Sequence, residues 1–91
     1  MARAYRNTPI KTATTTTVKS GAGVLRSITI LGGTAGAITV YDNTAGSGTE
    51  ICPQFTPGNV TVPVTLTFDT VFAVGCTIVT GAATVLSVSW E

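Results

Sequence analysis

The sequence has no histidine, only 10% charged residues and only two cysteines. Without histidine the commonest general base is missing, and the four acids, Asp42, Glu50, Asp69 and Glu91, are isolated from one another in sequence. Cys52 and Cys76 therefore have no imidazole to activate either as a nucleophile. Two thiols and scattered carboxylates also make no recognisable metal set. Catalysis is not expected, and neither is a metal or any other cofactor.

Apolar stretches are short as well. No run approaches the ~20 residues of a membrane span, and residues 1–17 lack the apolar core of a secretory signal. The expectation is a chain that stays soluble where it is made, in a reducing compartment where disulfides are rare. Both cysteines then read as small buried hydrophobes; a bridge, if formed, would close a loop of roughly 25 residues.

The few charges are ordered. All five cations, Arg3, Arg6, Lys11, Lys19 and Arg26, precede all four anions. Residues 1–23 thus read as an extended basic and threonine-rich arm, and residues 24–91 as the folded domain. The arm is either a solvated tail or a device that docks on an acidic neighbour. Nucleic acid is a poor partner, because the basic residues are dilute and Tyr5 has no second aromatic with which to form a stacking surface. Against a typical charged fraction of ~25%, 10% leaves threonine to supply much of the polar surface. Such a surface gives weak colloidal repulsion and suits a subunit covered by others.

What is present is strand pattern. Ninety-one residues make one domain, and no helical period appears. Residues 24–42 hold two β-branched runs around Gly32, Gly33 and Gly36. Ile28 and Ile30 form the apolar face of one run, Ile38 and Val40 that of the other, and the stretch reads as a hairpin. Thr14, Thr15, Thr16 and Thr17 favour an extended edge strand with little to bury. A short strand is expected around residues 50–52, with Phe55 on a loop as a core plug. Val60, Val62, Val64, Leu66 and Phe68 alternate with polar residues, and Pro63 places that run at an edge or beside a bulge. Phe72, Val74, Cys76 and Ile78 share one side of the next run, and Leu86, Val88 and Trp90 one side of the last; these two read as a second hairpin. Six or seven short strands imply an all-β chain, a single antiparallel β-sandwich or jelly-roll-like small barrel carrying the N-terminal arm.

Three other features read as structure more readily than as sites. The glycine-rich turn at residues 32–36 lacks the lysine and the following helix of a phosphate loop. Asp42 and Asn43 could begin a calcium loop, but Asx residues in turns usually cap their own backbone. Trp90 and Tyr41 could form a carbohydrate platform, yet a terminal tryptophan more often staples the last strand to the core or to a subunit interface.

The stretches GVLRSITILGGTAGAITVYDNTAGSGTEI and FDTVFAVGCTIVTGAATVLSVSW resemble a group of small β-sandwich proteins encoded by tailed bacteriophages and prophages. In that group an L-x-S-I-x-I-x-G strand, an I-x-V-Y-D strand, a G-S-G-T loop and a late G-x-T-I-V-T-G hairpin recur. The likeness covers residues 24–90 and leaves the arm outside; the group more often has leucine where Cys76 stands. The resemblance implies a virion protein made in the host cytoplasm, some members being similar to capsid decoration or cement proteins that sit as trimers on the shell. The expected partners are the major capsid protein and further copies of the chain, as a homotrimer, with neither nucleic acid nor membrane. Arg3, Arg6, Lys11 and Lys19 would steer the arm, residues 14–17 would add a strand to a neighbour's edge, and Tyr41 and Trp90 would lie at the oligomer interface. A tail, neck or baseplate adaptor is the alternative, and a carbohydrate-binding or host-adhesion module using the loops at residues 43–48 and 57–59 is a second.

Overall fold

The computed structural model describes residues 5–58 and 63–91. Among them are eight strands and no helix: β1 (Arg6–Ile10), β2 (Thr14–Ser20), β3 (Gly23–Gly33), β4 (Ile38–Tyr41), β5 (Glu50–Phe55), β6 (Val64–Phe72), β7 (Gly75–Thr80) and β8 (Thr84–Trp90). They form two antiparallel four-stranded sheets, ordered β1-β8-β3-β6 and β2-β7-β4-β5. Every connection but β4 to β5 passes from one sheet to the other, which is the double Greek key of a jelly roll. The result is a slab 33 × 33 × 17 Å, a small antiparallel β-sandwich.

Period-two sequence becomes two faces through register. Across the first sheet, Thr8, Val88, Ile28 and Leu66 form one inward row, and Ile10, Leu86, Ile30 and Val64 the next. Between them lies the outward row of Pro9, Ser87, Thr29 and Thr65, and a second outward row, Asn7, Ser89, Ser27 and Thr67, precedes the first inward one. In the second sheet Thr16, Ile78, Val40 and Cys52 form an inward row. Leu25, Ile28, Ile38, Val40, Ile78 and Leu86 are fully enclosed between the sheets, each contributing about 1.5–3 kcal/mol by leaving water. Phe55, Leu66, Phe68 and Trp90 pack around them half-buried.

Several expectations are corrected. The run at residues 24–42 is no hairpin: β3 pairs with β6 and β8, and β4 with β5 and β7, so the two lie in opposite sheets. The glycine-rich stretch between them carries the chain across the sandwich. At its start Gly33, with φ 81°, sits where a Cβ would run into the Ala83 carbonyl oxygen. Likewise β7 and β8 are not a hairpin but belong to different sheets, and Val74 is exposed in the bend before β7 instead of facing the core.

A further correction concerns the arm. Its described part is built into the sandwich, because β1 pairs along its length with β8 and β2 with β7. Ile10 and Val18 are buried in the core, so residues 6–10 and 14–20 are two of the eight strands and no boundary falls at 23. Arg3, Val60 and Val62 lie outside the described residues. Phe55, expected on a loop, is the last residue of β5.

Candidate functional site

Arg26, the one cation outside the expected arm, is paired within the fold. Both ladders of β3 skip it, passing from Leu25 to Ser27, and this bulge frees its side chain to lie along the end of the sheet. Its Nε and Nη2 donate to one carboxylate oxygen of Glu91 at 3.0 and 2.7 Å, and Nη1 donates to Asp69 at 3.2 Å. The Tyr5 ring centroid lies 4.7 Å away. Asp69 takes part because β6 has its own kink there, with φ 48°, a left-handed conformation that aspartate tolerates better than most residues. The hydrogen bonds to Glu91 and then to Asp69 hold the guanidinium pKa above its ordinary value. One arginine thus fastens residues beside all four strands of the first sheet.

Arg6, Lys11 and Lys19 have no such partners; among the described residues no carboxylate pairs with any of them. Arg6 starts β1, Lys11 stands between β1 and β2, and Lys19 is near the end of β2. The sheets bring Arg6 and Lys19 together on Trp90, whose ring centroid is 6.0 Å from the guanidinium carbon and 5.9 Å from Nζ. The indole Nε1 donates to Thr8 at 3.0 Å. Trp90 therefore closes the corner where β1, β2 and β8 meet, and its expected place at an oligomer interface reduces to one half-exposed rim. Tyr41, the other interface candidate, is in the opposite sheet beside Thr77 and Glu50, so the fold does not join the two aromatics into one platform.

The four threonines divide by face. Thr14 and Thr16 stand in the inward rows of the second sheet, Thr15 and Thr17 in the outward ones. The Thr80 hydroxyl takes the Thr14 amide at 3.0 Å and donates toward the Thr12 and Thr14 carbonyls. Over the outward face folds the loop at residues 42–49. Thr77 donates to the Asn43 carbonyl at 2.8 Å, Thr17 donates to the Thr44 carbonyl at 3.2 Å, and the two hydroxyls are 3.1 Å apart. This loop cover explains why Thr77 and Thr39 are buried on the side of the sheet that faces away from the core. Gly46 permits the approach, since a Cβ there would stand 2.9 Å from a Val79 methyl.

The sequence reading missed the role of Asp42. Its carboxylate accepts the amides of Ala73 (3.1 Å), Val74 (2.8 Å) and Gly75 (3.3 Å), holding the bend between β6 and β7. Those bonds, from Val74 above all, keep its pKa below the ordinary 3.8. The partners are more than thirty residues away, and only the general capping habit of Asx residues hinted at such a use. Cys52 and Cys76 are free thiols. Burial pushes Cys76 up to about 11, with the charge on Asp42 adding to it, and burial also raises Cys52.

On the side opposite β1 and β2, the sandwich edges β5 and β6 leave an apolar groove of about 460 Å³ lined by Cys52, Phe55, Leu66 and Phe68. A second, of about 520 Å³, adjoins it through Phe55 and Leu66. Among the described residues no three of cysteine, aspartate and glutamate gather in a metal-binding cluster. The described surface presents a hydroxyl-covered sheet face, a cationic side and four edge strands.

No family model matches the chain, and no curated protein and no solved structure matches it.

Proposed function

We propose that the chain is a structural subunit of a tailed-phage virion, a decoration protein that oligomerises as a trimer and binds the major capsid protein on the head. The observation that carries this reading is the cationic side of the sandwich: Arg6 and Lys19 meet on Trp90, Lys11 stands at the other end of β1 on the same side, and none of the three has a carboxylate partner among the described residues, in a chain with only nine charged side chains. Charges left unspent on one side steer and register a protein against an acidic surface. The uncharged serine and threonine rows of the first sheet add a flat face with no desolvation cost for buried ions, suited to contact between copies. The resemblance of residues 24–90 to small phage β-sandwich proteins supplies the setting. Its motifs fall on β3, β4, the loop at residues 42–49 and β7.

The test uses heads assembled without this protein. Purified chain is added and the heads are sedimented. Saturable co-sedimentation at a fixed ratio to capsid protein, with a trimer in solution by light scattering, supports the reading. Failure to bind heads, with binding to isolated tails or baseplates, moves the protein to an adaptor role.

A further inference from the structure

Four strands end the two sheets, β1 and β6 the first, β2 and β5 the second. An edge strand leaves alternate N–H and C=O groups pointing outward, ready to pair with another chain. Three of the four edges are blunted. Pro9 lies inside β1, Pro53 inside β5, and Pro63 directly precedes β6; proline has no N–H to offer a docking strand. The left-handed Asp69 breaks β6 a second time, and β5 shifts register twice against β4. Only β2 has no proline within it or directly beside it, and its residues 14–17 run in unbroken register against residues 77–80. They are four β-branched threonines, which favour the extended form.

Charge indicates what kind of chain this edge takes. Lys11 precedes β2 and Lys19 lies near its end, with Arg6 on the neighbouring β1, and none has a carboxylate partner among the described residues. The carboxylates of Glu50 and Asp69 are on β5 and β6, at the other ends of the two sheets. We propose that the free edge of β2 accepts an extended acidic segment of a partner protein as a fifth strand of the second sheet. Main-chain hydrogen bonds to residues 14–17 hold the segment, and Lys11 and Lys19 pair with its carboxylates. The expected roles are thereby reversed: residues 14–17 are not a loose strand seeking a neighbour's sheet but the exposed edge to which the neighbour adds. The proposal rests on the function above for the partner's identity, the major capsid protein, and on this chain alone for the edge and its charge.

The test is a titration of the isotope-labelled full chain, followed by amide NMR, with two end-blocked heptapeptides of alternating pattern, Thr-Glu-Val-Glu-Val-Glu-Thr and its lysine counterpart. The acidic peptide is expected to shift the amides of residues 14–17 and slow their hydrogen exchange, and the lysine peptide to leave them unchanged. The double variant Lys11→Glu, Lys19→Glu, its fold checked by amide shifts unchanged away from β2, should bind the acidic peptide about tenfold more weakly and prefer the lysine peptide. Equal response to both peptides, no response to either, or shifts centred on β1, β5 or β6 would overturn the proposal. Shifts of residues 14–17 that appear on concentrating the chain without peptide would also overturn it, by giving the edge to a second copy. If the peptide lands on β2 and heads do not bind the chain, the capsid reading fails and the edge stands.

Discussion

The indole Nε1 of Trp90 donates a hydrogen bond to Thr8 Oγ1 at 3.0 Å, tying the last strand of the chain to the first. Together with the β1–β8 and β2–β7 ladders, this contact makes the N-terminal segment part of the body it was expected to extend from.

Removing residues 1–20 should therefore unfold the protein. It strips the inward rows of Ile10 and Val18 and uncovers Leu86, Val88 and Ile78. Circular dichroism and a thermal melt check this: loss of the cooperative transition is expected. Ile10→Ala alone should cost about 2–4 kcal/mol by urea denaturation, and Trp90→Phe, which keeps most of the packing and loses one hydrogen bond, about 1 kcal/mol.

Acid should loosen the bend between β6 and β7. Asp42 has a folded pKa below its ordinary 3.8 because three amides bind the charged form. Its contribution to stability is full above that ordinary value and is lost as pH falls through the lowered one. Urea midpoints measured from pH 7 down to pH 2 should show a low-pH decline that Asp42→Asn diminishes, with the variant already weaker at pH 7. An unchanged acid limb in the variant would assign the decline to other carboxylates.

Thr77→Val should release the loop at residues 42–49. The substitution preserves shape but removes the donor to the Asn43 carbonyl and the contact with Thr17, at a cost of about 1–3 kcal/mol. Amide exchange in residues 43–48 should quicken by more than in β3, whereas a uniform change would mean that Thr77 acts on the whole fold.

The thiols should behave unequally. Cys76 is fully buried, with its thiol pushed up to about 11, while Cys52 is half-buried at the groove beside Phe55. An alkylating reagent at pH 7.5 is expected to label Cys52 first and Cys76 only after unfolding. Because the folded state holds the Cys76 proton longer than the unfolded state does, stability should fall as pH rises from the ordinary 9.0 toward 11.

Strands were legible in this sequence and partners were not. Alternation identified Ile28, Ile30, Ile38, Val40, Leu86 and Val88 as inward residues, and all are buried. Alternation fixes which face a side chain takes, but it says nothing of which strand lies alongside. A glycine-rich stretch serves a tight turn and a crossing between sheets equally well, so β3 and β4 looked like a hairpin. β1 was hidden because Arg-Asn-Thr-Pro-Ile offers one apolar residue, Ile10, and an edge strand needs no more. The buried Thr77 and the capping Asp42 depend on groups more than thirty residues away in sequence; no local pattern announces them. The cationic side was legible as a charge order, and its position on a sandwich edge was not.

The most direct test of the account is the copy number and position of this chain in the particle that carries it, by cryo-electron microscopy. The account predicts hundreds of copies in threefold or pseudo-threefold positions on the shell, each with the edge of β2 and the side bearing Arg6, Lys11 and Lys19 turned toward the capsid protein. A handful of copies at one vertex, or that side facing solvent, would contradict it.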